Sequence, residues 1–173
     1  MNFNVDLAVN AYSIGRDHSD VTSVNHDVLE DNMSTIKAID IKAELAGLTF
    51  LHGRGKDTTE AEKKSAFTTL AQYRDGGIFS GGFSGISQWE RHEQGDEIVH
   101  VLDGATQLTI MTDEGPQAIE MTAGMLVVVP QGCWHQFHSP DGVTIMTVTP
   151  QPTEHIHADD PRSMELSARL ERD

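Results

Sequence analysis

Four side chains in the second half of the chain have the types and spacing of a metal site: Glu90, His92, Glu97 and His135. Glu90-Arg91-His92 lies in a run of strand-forming residues. Side chains alternate along a strand, so Glu90 and His92 share one face, with Trp89 and Arg91 on the other. Four residues separate His92 from Glu97, enough for a loop that bends into the next strand. If that loop reverses the chain, Glu97 rejoins the same face. His135 opens a later strand after Pro130-Gln131-Gly132-Cys133-Trp134. The four side chains then sit at strand ends, where a barrel can bring them together. One His beside one Glu is ordinary surface chemistry, but this set comes with turn glycines and a proline at fixed offsets.

The same alternation assigns the neighbours. Gln88, two before Glu90, is expected to point inward and contact a substrate. Phe137 shares the face of His135 and forms wall. His100 and His138 face away from the centre by parity. Trp89 and Trp134 point outward, to pack against an extension of the chain or a second subunit. Cys133 reads as a small turn residue. His155 and His157 have strand-like spacing but are read as a solvated tail, and His18, His26 and His52 show no ligand spacing.

The elements that must position these residues are short strands. From Ala66 onward, runs rich in Val, Ile, Thr, Phe and Leu are separated by Gly, Asp and Pro. They are Ala66–Tyr73, Ile78–Glu90, Glu97–Leu102, Thr106–Met111, Gln117–Met121, Met125–Val129, Trp134–His138 and Val143–Val148. Asp75-Gly76-Gly77, Asp103-Gly104, Asp113-Glu114-Gly115 and Pro140-Asp141-Gly142 are turn signals between them. Many short strands at regular spacing predict an all-β sandwich or barrel. Residues 1–60 are mixed and polar, and are expected to form an irregular extension packed on a barrel spanning 61–150. Val28–Leu48 has a weak helical pattern, and Thr59-Glu60-Ala61-Glu62 has the spacing of a capping box. Residues 151–173 are expected to be a tail. Its short terminal helix would be capped by Asp160, with Pro161 in the first turn and Leu166 and Leu170 on one face.

At 173 residues the chain suits one domain with a sizeable core. With 27 acidic against 12 basic residues, its formal net charge is −15. That excess disfavours nucleic acid and anionic membranes as partners. A single cysteine, Cys133, rules out an intramolecular disulfide and fits a reducing compartment. The first residues lack a basic region followed by an apolar run, so they do not read as a signal peptide. Apolar runs such as Met125–Val129 are too short to span a membrane. These features together read as a cytoplasmic protein.

The candidate residues resemble the two motifs of the cupin superfamily. The first runs His-x-His, three or four residues, Glu, six residues, Gly; here it is Glu90-Arg91-His92, four residues, Glu97, six residues, Gly104. The second runs Gly, five residues, Pro-x-Gly-x-x-His, three residues, Asn; here it is Gly124, five residues, Pro130 to His135, then Ser139 in the Asn position. The resemblance covers roughly residues 67–148. It implies a double-stranded β-helix (jelly-roll) barrel with a divalent metal in its mouth (Fe, Mn, Ni or Zn), a small-molecule ligand or substrate, and a homodimer. Glu90 stands where the family usually has His, and Ser139 where it has Asn.

Glu90 leaves two arrangements open. As a ligand it gives two carboxylates and two imidazoles around the ion. The site is then formally neutral, and its oxygen ligands favour harder ions such as Mn(II) or Fe(II) over Cu. Alternatively, His92, Glu97 and His135 form a two-histidine, one-carboxylate facial triad, with Glu90 a free carboxylate suited to be a general base. The expected function is a metal-dependent enzyme of dioxygenase or isomerase type, acting on a small polar molecule, with Glu90 or Gln88 handling protons. The alternative is a non-catalytic binding or sensing barrel.

Overall fold

A computed structural model describes residues 36–163 of the chain. Two short helices, α1 (Ile41–Ala46) and α2 (Glu60–Ala66), flank the first strand, β1 (Leu51–Arg54). There follow β2 (Phe67–Tyr73), β3 (Gly76–Ile86), β4 (Trp89–His92), β5 (Glu97–Thr112), β6 (Gly115–Thr122), β7 (Leu126–Val129), β8 (His135–Pro150) and β9 (Thr153–Ile156). The capping box forms as its spacing predicts. Glu62 N–H donates to Thr59 Oγ1 at 3.3 Å, and Thr59 N–H donates to Glu62 Oε2 at 2.8 Å.

Among the described residues the strands form one curled sheet, with path β1-β3-β8-β4-β9. β2 adds to β3, while β5 pairs with β8 and also carries β6 and β7. β1 and β3 run parallel; the other pairs are antiparallel. The all-β expectation holds, and the sheet takes strands from both sides of residues 61–150. The helix expected after Pro161 falls largely on residues 164–173, outside the described residues. No helix among the described residues is long and apolar enough to cross a membrane.

Two expected turns are instead bends within long strands. β5 runs through Asp103-Gly104 and β8 through Pro140-Asp141-Gly142. The pairing shifts register there, and Gly104 lies opposite Val143. Gly104 has φ 73°, and a Cβ on it would strike the Gly142 carbonyl. The two glycines allow both strands to bend at the same level, so the ladder curls rather than ends.

The buried face follows the alternation of a strand. Val99, Val101, Leu108 and Ile110 of β5 pack with Phe137, Val143 and Ile145 of β8, and with Phe83, Met121 and Val129. The same inner face turns polar where Glu97, His135, Thr147 and Thr149 are buried. Buried polar groups need partners or a ligand, so this part of the interior is where chemistry is expected.

Candidate metal centre

Three strands bring the candidate ligands together. His92 ends β4, Glu97 begins β5, and His135 begins β8, directly opposite Glu90 in the β4–β8 pairing. The turn before His135 is tied to the loop after His92. Gly132 N–H donates to the His92 carbonyl at 2.9 Å, and Gln131 N–H to Asp96 Oδ1 at 2.8 Å.

The ligand atoms of His92, Glu97 and His135 lie within 4.8 Å of one another, and all three residues are buried. Glu97 Oε2 is 2.9 Å from His135 Nε2 and 3.5 Å from His92 Nε2. Yet these three atoms have no properly aligned hydrogen-bond partner. Three orphans converging on one point have the donor chemistry of a metal site: two imidazole nitrogens and a carboxylate oxygen.

The remaining polar atom of each ligand is held from outside. Thr149 Oγ1 donates to Glu97 Oε1 at 2.6 Å, leaving Oε2 for the centre. His135 Nδ1 is 3.1 Å from the Cys133 carbonyl, which can only accept. Nδ1 therefore carries a proton, and once the second proton is displaced the ring would present a lone pair at Nε2. His92 Nδ1 lies 3.2 Å from Thr153 Oγ1 of β9. In the metal-free centre, burial alone would raise the Glu97 pKa, but His135 and His92 bring it down to about 2. Burial alone would lower the His135 pKa, but Glu97 and then Glu90 push it up to about 9.

Glu90 stands at the edge of this group. Its Oε1 is 3.6 Å from His135 Nε2, and its Oε2 is 3.4 Å from His155 Nε2. Burial pushes its pKa up, but His155, His135 and Arg54 outweigh burial and the repulsion from Glu97, so the net shift is downward. Glu90, His92 and Glu97 line a cavity of about 480 Å³, with Phe137 as wall and Arg54 and His155 also lining it.

Other expectations fare unevenly. Phe137 is buried with its ring edge-on to His135, 6.2 Å between centroids. His138 is exposed, and His100 lies on the outer face of β5. Trp89 and Trp134 are on the outer face but buried. Trp89 Nε1 donates to the Ala158 carbonyl at 3.0 Å, so the C-terminal segment covers it. Gln88 does not line the cavity. Its side chain lies between Lys63 Nζ, at 3.1 Å, and His157 Nε2, at 2.7 Å. The inward placement expected of Gln88 is thus corrected: residues 87–88 interrupt the strand between β3 and β4, so alternation does not carry across.

Sequence reasoning passed over His155. It was read as solvated tail, but β9 pairs with β4 and places His155 opposite Glu90. The alternating Thr153-Glu154-His155-Ile156 was the available signal. Arg54 was also passed over, since nothing local marks β1 as part of the site.

Residues 81–150 match the family described as the cupin domain. Residues 81–150 are a cupin domain. A search of curated proteins found no match. Among solved structures, a cupin-2 domain containing protein from Shewanella frigidimarina is 24% identical, with a TM-score of 0.43 over 56% of this chain and 96% of that one. A protein from Neisseria meningitidis is 16% identical, with a TM-score of 0.47 over 66% of this chain and all (100%) of that one. A hydroquinone 1,2-dioxygenase from Sphingomonas sp., with 4-hydroxybenzoate bound, is 15% identical; the match has a TM-score of 0.43 and covers 50% of this chain and 65% of that one. In this cupin domain Ser139, at the family's Asn position, is fully buried and donates to Thr106 Oγ1 at 2.7 Å.

Proposed function

We propose that the protein holds a divalent metal ion on His92, Glu97 and His135 and is a metal-dependent enzyme, acting on a small polar molecule in the adjoining cavity. The observation that carries this reading is the convergence of three buried ligand atoms, bonded to nothing but one another, beside a cavity of about 480 Å³. A cavity of that size suits a small-molecule ligand. Two imidazoles and one carboxylate are the donor set of non-haem Fe(II) oxygenases, which supports Fe(II) and a dioxygenase-type reaction ahead of an isomerase. Bound there, a divalent ion supplies Lewis acidity to a substrate oxygen.

The chain's own residues supply the rest. Glu90 is the general base: a carboxylate at neutral pH, facing the cavity and oriented through Oε2 by His155. That engagement supports Glu90 as a proton carrier rather than a fourth ligand. Phe137 keeps one wall apolar and limits water beside the centre.

The test is elemental analysis of protein purified without a histidine tag, alongside His135→Ala and Glu90→Gln. Near-stoichiometric metal in the wild type and in Glu90→Gln, with loss in His135→Ala, is the expected result. Oxygen uptake with Fe(II) then selects the dioxygenase branch. Metal lost in Glu90→Gln makes Glu90 a ligand. No metal in the wild type after reconstitution with Fe, Mn, Ni and Zn overturns the reading and leaves a small-molecule binding barrel.

A further inference from the structure

The cavity holds a cation that the metal reading does not use. Arg54 is the last residue of β1, which runs parallel to β3 with Arg54 opposite Gly85. Gly85 has φ 103°, and a Cβ there would strike the Arg54 backbone carbonyl. Only glycine lets β1 come this close, and that approach delivers Arg54 into the cavity. Its guanidinium lies over the Phe83 ring at 4.7 Å and near the Phe67 ring at 5.3 Å from the centroids. These contacts are cation–π in kind and use none of the N–H donors in a hydrogen bond. Among the described residues the Arg54 guanidinium forms no hydrogen bond and no close ion pair, although it carries five donors and feels the charge of Glu90 across the cavity.

With a divalent ion on the triad, the charges lining the cavity do not cancel. Lys63 is paired with Glu60 at 2.8 Å. A divalent ion on the triad is offset by Glu97 and Glu90. Arg54 and Lys64 remain, both lining the cavity and neither paired among the described residues. The whole chain carries −15, so this local positive excess is not a general surface property. A guanidinium set against two aromatic rings that touch each other sits in a lowered dielectric, where a charge-assisted bond to an oxyanion is strong.

We propose that the substrate is a small organic anion, whose carboxylate or phosphate group is bound by the Arg54 guanidinium with help from Lys64 while its reacting end reaches the metal triad. The proposal rests on the metal-enzyme reading for the second contact and for the net positive charge of the cavity. The anion contact stands on Arg54 itself. Carboxylate and phosphate both match the fork of N–H donors, and experiment separates them.

The test is isothermal titration calorimetry on metal-loaded full-length protein. The probes are acetate, succinate, benzoate, glycerol 3-phosphate and phenyl phosphate, each against its neutral amide or alcohol counterpart. At least one anion is expected to bind while its neutral counterpart does not, and the class that binds identifies the group. Arg54→Gln should weaken that binding at least about tenfold. Arg54→Lys should restore part of it, and Lys64→Gln should cost a smaller factor. Cooperative melting of each variant establishes that it folds. If Arg54→Gln does not fold, Lys64→Gln and the wild-type comparison of anion with neutral counterpart decide. Anion binding unchanged in Arg54→Gln, equal binding of neutral counterparts, or no binding by any anion overturns the proposal. Metal content measured on the same samples separates the two readings. Arg54-dependent binding in protein that takes up no metal keeps the anion site and removes the metal centre; full metal with no anion binding does the reverse.

Discussion

Thr149 donates its hydroxyl to Glu97 Oε1 at 2.6 Å, and this single bond decides which carboxylate oxygen faces the histidines. Thr147 extends the arrangement, with its hydroxyl 2.7 Å from that of Thr149. Both residues belong to β8, the strand that also supplies His135. One strand therefore contributes a ligand at its start and the orienting group for another ligand near its end.

Thr149→Val keeps the shape and removes that bond. Outer partners of a metal ligand are worth about 10–100-fold in metal affinity. The variant is expected to fold and to bind metal more weakly by a factor in that range. Competition with a chromophoric chelator measures it; an unchanged affinity would show that Glu97 needs no such support.

Metal should stabilise the fold by mass action. At a free metal concentration of about 100 Kd the gain is about 2.7 kcal/mol. For a chain of this size that raises Tm by roughly 5–10 °C. His135→Ala should abolish the rise, whereas His100→Ala, on the outer face of β5, should retain it. Thermal melts with and without metal check both variants.

The motif spacing made His92, Glu97 and His135 legible, because each sits at the end of a strand whose alternation is local. Phe137 and His138 follow from the same rule. The rule stops where a strand stops. Gln88 lies in a break between β3 and β4, so its side chain meets Lys63 and His157 instead of the cavity. His155 and Arg54 reach the site through pairing with strands distant in sequence, β9 on β4 and β1 on β3. Pairing of that kind depends on long-range register, which no short window of sequence contains. The bends at Gly104 and Gly142 were misread for a related reason. The same residues serve a hairpin turn or a curl, and only the opposing strand decides which.

Gly85→Ala tests the crossing that delivers Arg54. An added Cβ meets the Arg54 backbone, and alanine is strained at φ 103°. Strain of that kind costs about 1–3 kcal/mol. Chemical denaturation should show a loss of that size, while metal affinity falls much less, since no triad ligand lies on β1 or β3.

The metal-free centre should leave a signature in the pH dependence of stability. The His135 pKa is raised from 6.5 to about 9, so the fold favours its protonated form. The resulting stabilisation is fully present below pH 6.5 and disappears as pH rises toward 9. The Glu97 pKa is lowered from 4.5 to about 2, so its contribution is fully present above pH 4.5 and is lost as pH falls toward 2. Both contributions are complete only between pH 4.5 and 6.5. Urea denaturation in chelator should therefore show the wild type's advantage over His135→Gln greatest in that window and shrinking on its alkaline side. Metal reverses the alkaline trend. It must displace the proton from His135, so its affinity, and the stability it confers, rise with pH across the range in which the metal-free protein weakens. A His135→Gln advantage that is flat from pH 6.5 to 9 would mean that Glu97 does not hold a proton on His135, and that the two side chains meet only through the ion they bind.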